Sequence, residues 1–203
     1  NKKDLSNIEN IECDCICVSG FWTPSIHLAS QSGNKSEFNE KIDAFIPKIS
    51  KQKENTIGSA NGKFTLEETI NEAFDKGYEV SNKITENNNK VSIPTVVEKK
   101  STEHDKFWCV PLPKGKSYKR FLDFQNDVAV TDIELALREG FRSIEHVKRY
   151  TTLGMATDQG KTSNLNGLQL VSDIENKVVP QVGHTTFRPP YTPVSIGAIV
   201  GRE

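Results

Sequence analysis

The sequence predicts a mixed α/β and α+β chain. It divides into a strand–loop–helix unit over residues 1–80, a linker over 81–116, a small three-helix module over 117–175 and a proline-rich lead-out over 176–203. Three observations predict this layout. Alternating residues from Ile11 run into the turn residues Ser19 and Gly20. Hydroxyl-x-x-carboxylate pairs at Thr65/Glu68 and Thr131/Glu134 open apolar stripes at helical spacing. Between these blocks lies a stretch with little to bury.

In the first unit, Ile11-Glu12-Cys13-Asp14-Cys15-Ile16-Cys17-Val18 reads as a strand. Its period of two places Cys13, Cys15 and Cys17 on one face, where small thiols pack against a core. A metal centre would need a fourth ligand, and no second CxxC pair or His-x3-His supplies one. Cys109 stands alone and reads as structural. The run Thr56 to Phe64 carries Gly58-Ser59-Ala60-Asn61-Gly62 ahead of the cap at Thr65. Leu66, Ile70, Ala73 and Phe74 form the stripe of the helix that follows, with Gly77 as its expected end. A glycine turn before a helix lets backbone amides approach a phosphate, and it serves equally as plain chain geometry.

Residues 81–106 are dominated by asparagine, lysine and glutamate, which predicts a linker or surface crossing that Phe107-Trp108-Cys109 then anchors. The three-helix module follows. A first helix is capped at Thr131, buries Ile133, Ala136 and Leu137, and ends at Gly140. A second starts after Ser143 with Ile144, Val147 and Tyr150 inward, and breaks at Thr151 to Gly154. A third begins near Gly160 with Leu165, Leu168 and Val171 on one side. Beyond Pro180 the prolines exclude a regular helix.

Composition narrows the partners. With 26 basic against 27 acidic side chains in 203 residues the formal net charge is -1, which argues against a nucleic-acid partner. No run approaches the roughly 20 apolar residues that span a bilayer, and the opening NKKDLSNIEN lacks a signal peptide's apolar core. The expectation is a cytoplasmic protein with no membrane partner. The chain opens on Asn1, and a piece of a longer protein is expected.

Three runs carry a specific resemblance: Asp123-Phe124-Gln125-Asn126-Asp127-Val128, the stretch from Arg142 to Asn164, and Thr185-Thr186-Phe187-Arg188-Pro189-Pro190-Tyr191-Thr192-Pro193-Val194. With fainter likeness at Glu12 to Asp14, Val18 to Gly20 and Gly58 to Gly62, they resemble the alpha subunit of heterotetrameric sarcosine oxidase. The resemblance implies the tail of a disulfide-reductase-type NAD-binding domain over 1–80, a helical module over 117–175, and the approach to a folate-binding domain that is not part of this sequence. The module also resembles bacterioferritin-associated ferredoxin domains. At the positions of their cluster cysteines this chain reads Asp123, Gln125, Asp158 and Ser163, so no thiolate is left and no iron–sulfur cluster is expected.

In its place the resemblance implies FMN, held at a contact with a beta subunit; gamma and delta subunits, FAD and tetrahydrofolate belong to the complete enzyme. The activity implied is oxidative demethylation of sarcosine to glycine, with hydrogen peroxide and methylene-tetrahydrofolate formed. Gly20, Gly58, Ser59 and Asn61 are the candidates beside NAD. Arg149, Thr151, Thr152, Gln159, Gly160, Lys161, Thr162 and Ser163 are the candidates around FMN, with the glycine, lysine and hydroxyls of 160–163 on its phosphate. Helix capping by Thr162 and Ser163 and a solvated helix end at Lys148 and Arg149 account for the same residues without a ligand. His184 reads as structural and Arg188 as a candidate for an anion or an interface. No catalytic residue and no metal ligand is expected. Other readings are the alpha subunit of an opine or amino-acid dehydrogenase, whose members keep the module's cysteines, and a cofactor-free assembly module.

Overall fold

A computed structural model describes residues 9–17, 20, 22–85, 92–97 and 107–202. The elements run α1 (His27–Gln31), β1 (Ser36–Asn39), β2 (Ala44–Pro47), a 3-10 turn (Gly58–Asn61), α2 (Leu66–Thr85), β3 (Phe121–Asp123), β4 (Val128–Ala129), α3 (Val130–Arg138), α4 (Ile144–Thr151), α5 (Asn164–Glu175), α6 (Val179–Val182) and α7 (Ile196–Val200). Helix and strand are mixed as expected. Both sheets are two-stranded antiparallel ribbons, β1 with β2 and β3 with β4, so among the described residues the arrangement is α+β and no parallel sheet forms.

The core belongs to the helical module. Ile133, Ala136 and Leu137 of α3, Ile144 and Val147 of α4, and Leu168 and Val171 of α5 close on Leu122, Val128 and Leu153. The stripes read from the sequence supply this interior, except that Tyr150 is 42% exposed and lies against Phe141 at the edge. The β1–β2 ribbon, which the sequence reading leaves unassigned, pairs Phe38 with Phe45 and lays both against this core. The first unit thus packs directly on the module.

Several expectations require correction. Residues 11–17 form no strand, and Cys13, Cys15 and Cys17 are exposed; Val18 and Ser19 lie outside the described residues. Alternation buries one face only where a neighbouring strand pairs the backbone and a second layer covers the face, and among the described residues neither meets this segment. α2 is capped at Thr65, whose hydroxyl oxygen accepts the Glu68 N–H at 3.2 Å, but it runs through Gly77 to Thr85 and so takes the first five residues of the expected linker. Gly77 lacks the left-handed conformation of a helix stop, and Lys76–Glu79–Lys83 ion pairs carry the helix past it. α3 starts at Val130 with Ala129 at its N-cap, two residues ahead of the expected cap at Thr131: Asp132 accepts the Ala129 N–H at 2.7 Å, so the carboxylate caps and the threonine does not. α5 starts at Asn164 rather than near Gly160, because Gln159 and Gly160 both hold positive φ, which an α-helix excludes. The stop at Gly140, with φ +97, and the break after α4, with Thr152 at +62 and Gly154 at +66, fall where the sequence reading puts them. Among the described residues no helix is long and apolar enough to cross a membrane.

Candidate functional site

On α4, Ile144 and Val147 point into the core, while Glu145, Lys148 and Arg149 follow at i, i+3 and i+4 and share the adjoining face. The turn after α4 and the extended lead-out beyond Gly183 both pass over that face. Together they bound a cleft of about 510 Å³. Glu145, Lys148 and Arg149 line one wall, Gly154 to Thr157 and Gln159 the second, and Thr186 to Pro190 with Pro193 and Val194 the third. Glu145 fastens the walls together: its carboxylate accepts the Thr186 N–H at 2.6 Å and pairs with Arg149 at 3.2 Å.

Basic and apolar side chains share the cleft. Burial holds the Lys148 ammonium below the ordinary lysine value; Glu145 opposes this, and the charges of Arg149 and Arg188 add to it. No carboxylate lies within ion-pair distance of Lys148 or Arg188 among the described residues. A partly desolvated cation among like charges gains from an anion. Met155, Ala156, Phe187, Pro189, Pro190 and Val194 supply flat or apolar surface beside them. The volume falls within the roughly 300–1,000 Å³ of small-molecule sites.

The candidates named from the sequence are distributed otherwise than expected. Arg149 and Gln159 line the cleft. Thr151 donates its hydroxyl to the Val147 carbonyl at 2.8 Å, and Thr152 to the Thr151 carbonyl at 2.6 Å, so both serve the end of α4. The donors of 160–163 are engaged inside the chain. Asp158 accepts the Gly160 N–H at 3.1 Å and the Thr162 hydroxyl at 2.8 Å. Ser163 is fully buried and donates to Asp123 at 3.4 Å. Lys161 donates to the Tyr191 carbonyl at 2.8 Å and lies over that ring at 4.4 Å. Burial pushes the Asp158 carboxyl up, but its bonds from Thr162 and Gly160 and the Lys161 charge outweigh this and hold it below the usual range. A carboxylate of the chain therefore sits where an added phosphate was expected.

The same happens in the first unit. Gly58 N–H and Asn61 Nδ2 donate to the two oxygens of Glu72, each at 2.7 Å. A pyrophosphate there would meet a carboxylate, so these residues do not fit NAD. Ser59 is exposed on that turn, and Gly20 is exposed with open space around it.

Asp123, Gln125, Asp158 and Ser163, the positions that the sequence reading compares with cluster cysteines, lie together. Asp123 accepts N–H groups from Gln125 at 2.9 Å and Gly154 at 2.8 Å besides the Ser163 hydroxyl, and Gln125 Oε1 accepts from Thr157 at 2.6 Å and the Asp158 N–H at 3.4 Å. A polar network ties these loops together. Among the described residues no group of three His, Cys, Asp or Glu is placed to hold a metal. His184 Nδ1 donates to the Thr185 carbonyl at 2.7 Å and its ring meets Phe45 at 5.1 Å, a structural role. Glu145 was the residue to find from the sequence, through its i, i+3, i+4 spacing with Lys148 and Arg149; Met155 and Phe187 carry no such signal.

Comparison with known proteins places the chain. Residues 117–202 match the family model described as the sarcosine oxidase A3 domain. The chain is 37% identical over 194 residues to the sarcosine oxidase subunit alpha of Rhizobium meliloti (strain 1021), covering 95% of this chain and 19% of that one. It is 33% identical over 216 residues to the sarcosine oxidase subunit alpha of Corynebacterium sp. (strain U-96), covering 99% and 21%. The crystal structure of L-proline dehydrogenase from P. horikoshii aligns with a TM-score of 0.54 at 21% identity, over 89% of this chain and 37% of that one, a likeness of fold alone. The chain spans about one fifth of the length of the curated relatives it matches. With an A3 domain over 117–202 and alpha-subunit likeness along nearly its whole length, it belongs to the sarcosine oxidase alpha-subunit family.

Proposed function

We propose that this segment forms one side of an FMN site within a sarcosine oxidase, an oxidoreductase, and that it does so through the cleft over α4. Lys148, Arg149 and Arg188 hold the phosphate, and the Met155–Thr157 turn and Phe187 flank the flavin ring. When bound, FMN supplies electron transfer between the site of amine oxidation and oxygen. The chain's own part is to bind and orient: the guanidiniums fix the phosphate's charge, and the stiff Pro189–Pro190 pair holds Arg188 in place. Glu145 keeps the lead-out against α4 so that the cleft retains its shape.

The observation that carries the reading is the half-buried Lys148 beside two arginines in a cleft that also holds apolar side chains. In the complete enzyme a beta subunit closes the open side, and the reaction is the oxidative demethylation of sarcosine with hydrogen peroxide and methylene-tetrahydrofolate as products. NAD is not assigned to Gly58–Asn61, whose donors Glu72 occupies. The test is reconstitution of the assembled enzyme with Lys148→Glu or Arg188→Glu. Flavin content should fall in both while the subunits still assemble; full flavin content in both variants would refute the site.

A further inference from the structure

Next to the cleft, sharing Phe187 with it, lies a second and smaller space of about 100 Å³. The segment from Thr23 to His27 closes it on one side, α5 on another, and His184 to Phe187 on the third. It lies where the first unit meets the helical module. Three of its lining side chains are polar and more than nine-tenths buried: His27 at 3% exposure, Thr185 at 2% and Asn164 at 7%. His27 Nδ1, Thr185 Oγ1 and both polar atoms of the Asn164 amide have no hydrogen-bond partner within the protein.

The great majority of buried polar atoms are paired with protein or with ordered water. The chemistry of the occupant follows from the donors. His27 Nε2 lies 3.1 Å from the Gln159 carbonyl and therefore carries the proton, which leaves Nδ1 of the neutral ring as a bare acceptor. Burial, the first cause, and the Lys161 charge both oppose protonation of that ring. An anion offers Nδ1 no donor, and a cation is repelled by Lys161 on the same wall. A neutral molecule with O–H groups satisfies all three side chains, and at about 30 Å³ each the space takes about three waters.

We propose that this chamber is an internal hydration site in which bound water bridges His27 Nδ1, the Asn164 amide and the Thr185 hydroxyl, and so joins the first unit to the helical module. The site does not rest on the flavin reading, because none of its three polar partners lines the cleft. A high-resolution crystal structure of the 203-residue chain and the melting temperature of Thr185→Val test it together. Water-sized density within hydrogen-bond distance of His27 Nδ1 and Thr185 Oγ1 is expected, and a lower melting temperature for the isosteric valine, which removes a satisfied hydroxyl. In a dry chamber the hydroxyl is an unsatisfied burden, and valine would raise the melting temperature. Either a chamber without density, density too large for water, or a rise in melting temperature overturns the proposal.

Discussion

Ser163 donates its hydroxyl to Asp123 at 3.4 Å across forty residues, and both side chains are buried. The same carboxylate takes N–H groups from Gln125, Asn126 and Gly154. One residue thus ties the β3–β4 turn, the loop after α4 and the start of α5. Asp123→Ala should cost about 3 kcal/mol, since several buried donors lose a charged acceptor at once. Urea unfolding of the two proteins measures it; a loss under about 1 kcal/mol would show that water replaces the carboxylate and that the network is not structural.

Gly154 and Gly160 stand on either side of Asn164. Each has positive φ, and a methyl added to either would lie 2.1–2.3 Å from the Asn164 amide. Gly140 shares the positive φ, +97, but opens on empty space. Gly160→Ala should therefore destabilise by roughly 3 kcal/mol, combining backbone strain with overpacking, and Gly140→Ala by only about 1 kcal/mol. Thermal unfolding of both variants gives the comparison, and equal losses would mean that the Asn164 contact is soft.

His27 makes stability depend on pH. Its folded-state value is depressed below 6.5 by burial, which the Gln159 carbonyl and Asp158 oppose and Lys161 and Lys148 reinforce. The unfolded chain then binds the proton first. Stability is full at neutral pH and falls as pH drops below 6.5, until the folded ring also protonates. Melting temperature should decline from about pH 7 to about pH 5, and His27→Gln should flatten that slope. Identical slopes in the two proteins would assign the decline to other groups.

The helical module was legible because its signals are local. The stripe of α3, the stop at Gly140 and the inward pair Ile144 and Val147 need only the spacing of residues within one turn or two. The misreadings share a cause: each depended on what lies opposite in space. Cys13, Cys15 and Cys17 alternate as a strand does, yet nothing among the described residues pairs with them. Gly58–Asn61 and Gly160–Ser163 have the composition of anion sites, and the anions are Glu72 and Asp158 of the same chain. Sequence spacing names a donor-rich turn, but not which acceptor reaches it. Lys148 and Arg149 read equally well as a solvated helix end until Arg188, forty residues on, is seen to act on Lys148.

At the proposed site the phosphate meets Lys148, Arg149 and Arg188, rather than the glycine-rich turn at 160–163. An amide-resolved NMR titration of the chain with FMN tests this most directly. Shifts should concentrate at residues 145–149, 154–157 and 186–188, and Lys148→Glu should weaken binding by about thirtyfold, the equivalent of about 2 kcal/mol for a lost charge-assisted bond. Shifts centred on 58–62 or 160–163, or affinity unchanged in the variant, would contradict the account.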